Sequence, residues 1–128
     1  MKIVELDHFV LTVKDIEATV KFYTKVLGME SEQFVGGGAE RTALKFGHQK
    51  INLHQLGNEF KPVADKPLAG SGDFCLITET PVEEIVQELE RYGIQVVEGP
   101  VRKTGAIGPL WSIYLRDPDN NLIEISNR

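Results

Sequence analysis

An internal repeat is the feature that most constrains this chain. Gly28 and Gly93, 65 positions apart, each end a stretch of helical periodicity that follows an apolar strand-like run. In the first copy, Ile16, Val20, Tyr23 and Leu27 are spaced four, three and four apart, with Asp15 as the N-cap and Gly28 as the stop. The order there is a strand over 6–13, a helix over about 15–27, and strands near 29–35, 41–46 and 51–55. The second copy runs through a strand over 73–78, a helix over about 81–92 with Pro81 in its first turn, and strands near 94–98, 111–116 and 121–126. Asp73 stands 65 positions after His8 and Glu124 stands 70 after His54, so the second copy has gained a few residues in a later loop. The expected class is α+β, with two βαβββ modules, 1–57 and 73–128, forming a single domain over 1–128. Residues 58–72, with two prolines, two glycines and little periodicity, are the linker.

The polar positions inside the apolar strands carry the chemistry. Period-two alternation puts Phe9, Leu11 and Val13 on one face and His8, Val10 and Thr12 on the other. It likewise separates His54 from Ile51 and Leu53, and Glu124 from Ile123 and Ile125. Two imidazoles and a carboxylate, each opposite an aliphatic face, form a donor set suited to one divalent ion: Ni, Zn, Mn, Co or Fe. Asp73 is a possible fourth ligand, or an acceptor orienting a histidine N–H. On the penultimate strand Ser112, Tyr114 and Arg116 share a face and are expected to face substrate beside Glu124.

Other motifs have structural readings. The segment 117–121, Asp-Pro-Asp-Asn-Asn, is a turn between the last two strands, and Gly36-Gly37-Gly38 is a hairpin loop without the lysine or helix of a phosphate-binding loop. His48 lies in a solvated turn. Cys75 reads as a small buried core thiol, and residues 103–108 as a mobile rim.

Composition narrows the partners. A chain of 128 residues with 41% hydrophobic content can bury a core without staples, and its one cysteine forms no intramolecular disulfide. Neither a signal peptide nor a bilayer-length apolar run is present, so a cytoplasmic protein with no membrane association is expected. Fourteen basic against nineteen acidic residues leave a net charge of −5, with no basic cluster interleaved with aromatics, which argues against nucleic acid and for a small-molecule substrate. An anionic ligand remains compatible if the fold gathers Arg41, Lys45, Arg102, Lys103 or Arg116.

The chain resembles the vicinal oxygen chelate superfamily, in its glyoxalase and bleomycin-resistance branch. The resemblance covers nearly the full length and rests on Leu6-Asp7-His8, on Asp15-Ile16-Glu17 through Phe22-Tyr23-Thr24-Lys25-Val26-Leu27-Gly28-Met29, and on Arg116-Asp117-Pro118-Asp119-Asn120-Asn121-Leu122-Ile123-Glu124. It implies sheets curled around a metal cleft with helices outside, and ligand places on the first and fourth strands of each module. Those places are His8 and His54, then Asp73 and Glu124. Bacterial glyoxalase I usually has Glu and His where this chain has His54 and Asp73. The implied activity is that of a metal-dependent, lactoylglutathione lyase-like enzyme with Glu124 as the base, acting on a small oxygenated or thiol-conjugated substrate. Fe(II)-dependent extradiol-type dioxygenation and non-catalytic binding of the bleomycin-resistance type are the alternatives. The resemblance also implies a homodimer, and no organic cofactor is expected.

Overall fold

The first apolar run forms β1 (His8–Val13) and leads straight into α1 (Ile16–Lys25). The Asp15 side chain accepts from the Ala18 backbone N–H at 3.1 Å, closing the helix start. At the other end Gly28, at φ +71°, provides the left-handed residue that turns the chain away. Three strands follow, β2 (Glu30–Gly36), β3 (Ala39–Phe46) and β4 (Gln49–Gln55). The sheet order is β1-β4-β3-β2, with β1 parallel to β4 and the other pairs antiparallel. Buried Leu11, Val13, Leu44, Ile51 and Leu53 share the face that α1 covers with Tyr23 and Thr19.

The second copy repeats the arrangement. It consists of β5 (Asp73–Ile77), α2 (Val82–Arg91), β6 (Glu98–Thr104), β7 (Pro109–Arg116) and β8 (Leu122–Asn127), in the order β5-β8-β7-β6 with β5 parallel to β8. Ile113, Leu115, Ile123 and Ile125 are its buried face, met by Val82 and Leu89 of α2. Pro81 sits one position before the helix rather than inside its first turn. Its capping partner comes from the far end of the chain: the Asn127 side chain accepts from Val82 N–H at 3.0 Å and donates to the carbonyls of Thr78 and Thr80.

The computed structural model describes all of residues 1–128. It divides into two compact units, 1–70 and 71–128, with the division inside the expected linker. The class is α+β as expected, two four-stranded mixed sheets with one helix each. No helix is long and apolar enough to cross a membrane.

One strand lies elsewhere than expected. Residues 94–97 are not a strand, and β6 instead spans Glu98–Thr104, through the Gly99-Pro100 pair that reads as a breaker. Edge position explains this, because β6 has a neighbour on one side only and a proline there removes no ladder bond to a second strand. The register shifts between Glu98 and Val101, and Gly99 sits at φ +103°, where an added Cβ would lie 2.3 Å from the Ser112 carbonyl oxygen. Residues 103 and 104 therefore belong to a strand. The expected rim shrinks to the Gly105–Gly108 turn, closed by a backbone bond of 2.7 Å.

The turn at 117–121 is a buried polar knot. Asp117 accepts from the backbone N–H groups of Asp119 and Asn121, each at 2.9 Å, and from the Asn121 side chain at 2.8 Å. Asn121, 1% exposed, in turn accepts from Gly72 N–H at 2.7 Å, tying the entry of β5 to the start of β8. Replacing Asn121 with Ala removes one of the bonds to Asp117 and leaves Gly72 N–H without its acceptor, and a loss of about 1–3 kcal/mol in chemical denaturation is expected. An unchanged midpoint would contradict this reading of the turn.

Candidate functional site

In each unit the sheet face away from the helix is polar. In the first, register lines up four side chains across the strands: Phe34 opposite Arg41 and His54 opposite Thr12, with the Thr42–Leu53 pair placing Arg41 next to His54. His54 is 2% exposed, and its Nε2 lies 2.8 Å from Arg41 Nη2. A guanidinium only donates, so Nε2 accepts and the ring proton resides on Nδ1. The Phe60 ring packs edge-on to His54 and 4.6 Å from the guanidinium carbon, while Phe34 lies 5.6 Å from that carbon. Burial, then the charge of Arg41, lowers the His54 pKa, and Glu59 acts weakly in the opposite direction. His54 is therefore a neutral imidazole held by a cation.

His8 is on the same face but pairs with Lys50, four residues along the strand from the His54 row. That separation is about 13 Å of strand, too far for the two rings to share an ion. His8 has different surroundings. It is exposed, and its Nδ1 lies 2.6 Å from Asp7 Oδ1, which leaves Nε2 pointing away from the contact. The first unit thus splits the expected histidine pair into one anchored, exposed ring and one buried ring bonded to arginine.

In the second unit the row is Cys75, Glu124, Tyr114 and Glu98. Glu124 is half-buried and accepts from Ser126 Oγ at 3.3 Å, and Ser126 lies 2.6 Å from the fully buried Ser112 hydroxyl. Burial first, then the Glu124 charge and its hydrogen bond, push the Tyr114 pKa up to about 12, so its phenol stays protonated beside the carboxylate. Tyr114 pairs with Glu124 across the ladder, while Ser112 is fully buried and pairs with Ser126. Asp73 lies on the same face but pairs with Leu122, two residues along the strand from the Glu124 row. Arg116, in line with Leu122, donates to the Asn120 carbonyl at 3.2 Å and serves its own turn.

A model of the glyoxalase/bleomycin resistance protein/dioxygenase superfamily matches residues 5–125. The chain belongs to that superfamily. It is 54% identical over 126 residues to virulence protein STM3117 of Salmonella typhimurium, covering 98% of this chain and 85% of that protein. The crystal structure of that protein superposes with a TM-score of 0.94, covering 99% and 98% of the two chains. The glyoxalase domain-containing protein RDO1 of Mycosarcoma maydis is 54% identical over 122 residues, 95% of this chain and 67% of its own length. A lactoylglutathione lyase from Agrobacterium tumefaciens shares the fold at 24% identity and a TM-score of 0.71, with 96% and 92% of the chains covered.

Relative to this superfamily member's sequence, the structure adds residues that alternation does not single out. Asp7 anchors His8. Asn52, 6% exposed, lies on the His54 face with Oδ1 lacking a protein partner, and Phe60 covers Arg41 from the segment taken as linker. Cys75 requires a correction: it is exposed on the Glu124 face, 3.3 Å from Ser126 Oγ, because Phe74 and Leu76 take the other side of β5. Burial of the sulfur, ahead of the Glu124 charge, raises its pKa, so the thiol stays protonated. Neither unit by itself gathers three His, Cys, Asp or Glu side chains around a point.

The electrostatics of His54 lead to a pH test. A histidine pKa depressed in the folded state contributes stability that is present above the ordinary value near 6.5 and is lost as pH falls from there through the lowered pKa. Arg41→Gln removes one of the two lowering causes, so the His54 titration followed by NMR is expected to move upward. A titration at or below the wild-type position would contradict the pairing.

Proposed function

We propose that this chain is a divalent-metal-dependent enzyme of glyoxalase type, acting on a small oxygenated or thiol-conjugated substrate. The observation that carries the reading is the His8–Asp7 contact of 2.6 Å on an exposed side chain. A carboxylate on one ring nitrogen fixes the ring and raises the basicity of the other, the arrangement usual behind a metal-bound histidine. His8, with its second ring nitrogen pointing away from Asp7, and Glu124, a half-buried carboxylate, are each donors of the kind that hold a Ni, Zn, Mn, Co or Fe ion. His54 does not fit, because its Nε2 already accepts from Arg41 and a guanidinium beside it opposes a cation. Membership in the superfamily supports the class of chemistry, and the activity itself is our inference.

A divalent ion bound there would polarise substrate oxygens as a Lewis acid, worth several kcal/mol to a developing negative charge. The chain's own contribution is proton handling. Glu124 takes the proton from the carbon beside the carbonyl, a positioned carboxylate contributing roughly 10²- to 10⁴-fold. Tyr114, kept protonated, donates to that carboxylate and holds its orientation. Ser126 bonds the same carboxylate and is steadied by Ser112.

Metal content of protein purified without chelator, read by plasma mass spectrometry, tests the proposal. Near-stoichiometric metal is expected in the wild type and its loss in His8→Ala and Glu124→Gln. Asp7→Ala, which leaves the ligand and removes its anchor, is expected to weaken metal affinity about 10- to 100-fold. Protein that is metal-free and also refuses added Ni(II), Zn(II), Mn(II) and Fe(II) would refute the mechanism.

A further inference from the structure

Three buried polar atoms in the first unit lack any protein partner: Arg41 Nε, His54 Nδ1 and Asn52 Oδ1. They are not scattered. Arg41 and His54 are bonded neighbours on β3 and β4, and Asn52 is two residues from His54 on the same face of β4. Since Arg41 occupies Nε2 of the ring, the orphaned His54 atom carries a hydrogen and is a donor. The unmet set is two N–H donors and one carbonyl acceptor. An unpaired buried polar group costs about 1–3 kcal/mol, so three on one sheet face require an explanation.

We propose that Arg41, His54 and Asn52 form a recognition site for a small organic carboxylate bearing a hydroxyl group near the carboxyl. Arg41, which is only partly buried, gives the ligand its point of access, and the guanidinium N–H groups not used by His54 donate to the carboxylate. The His54 N–H is the next donor, and Asn52 Oδ1 takes the ligand's hydroxyl hydrogen. Charge favours a monoanion, because Arg41 contributes one positive charge while His54 is a neutral donor. Phosphate, largely a dianion at neutral pH, exceeds the single positive charge that Arg41 supplies and matches less well. The Phe60 and Phe34 ring centres lie 4.6 Å and 5.6 Å from the guanidinium carbon, an apolar surround that strengthens its bonds to an anion. None of its three atoms requires a metal ion.

The test uses the full chain stripped of metal by chelator, with isotope-labelled histidine, and follows the His54 ring nitrogens by NMR during titration with glycolate, acetate and inorganic phosphate. Glycolate is expected to shift the Nδ1 resonance saturably, with acetate and phosphate each about tenfold weaker. Arg41→Lys, which keeps the charge and loses the guanidinium N–H groups, is expected to weaken glycolate about tenfold or more. Should that variant fold poorly, Asn52→Ala is the second: it is expected to bring glycolate down to the affinity of acetate. No saturable shift with glycolate would assign the three atoms to ordered water and overturn the proposal. Phosphate binding as tight as glycolate, or unchanged glycolate affinity in both variants, would overturn it too. Because metal is absent throughout, this outcome is independent of the metal measurements above.

Discussion

Parallel pairing of the first and fourth strands of each unit is the constraint on which the rest depends. Two parallel strands need a crossover, and the chain supplies it through a helix and two further strands, so β1 with β4 and β5 with β8 form only when the whole module closes. That pairing sets the register of the polar face as well as the apolar one. A slip of one residue would send Leu11, Val13, Ile51 and Leu53 to the polar side, at a cost the buried face makes prohibitive. The hydrophobic core thus fixes where His8, His54 and Glu124 lie, although none of them contributes to it.

The two histidines of the first unit show how register decides chemistry. Both are on the same face of adjacent strands, yet His8 aligns with Lys50 and His54 with Thr12. Four residues of offset give one ring a carboxylate neighbour and solvent, the other a guanidinium and burial. The carboxylate fixes the orientation of the first. The guanidinium lowers the pKa of the second and leaves it a neutral donor. In the second unit Glu124 is half-buried and meets the hydroxyl groups of Ser126 and Tyr114.

Much of this was legible in the sequence, and the limits have physical causes. The helix ends were readable because Asp15 and Gly28 act through bonds within a few residues of themselves. The face of each strand residue was readable because the side-chain period is two. Position along the face was not, since it depends on pairing between segments some forty residues apart, and this is why His54 read as a companion of His8. Arg41 was one basic residue among five until the β3–β4 register put it beside His54. β6 was misplaced because Gly99 and Pro100 signal a break, while an edge strand with a bulge tolerates both. Cys75 read as core because small thiols usually are, yet the half-buried side of β5 belongs to Phe74 and Leu76.

We propose that His8, and not His54, is the metal-binding histidine. The direct measurement is the ligand-field absorption of the Co(II)-loaded protein, titrated to saturation in the wild type, His8→Ala and His54→Gln. His54→Gln is expected to keep stoichiometric Co(II) and the wild-type spectrum, while His8→Ala loses both. Retention of the spectrum in His8→Ala with its loss in a folded His54→Gln would contradict it.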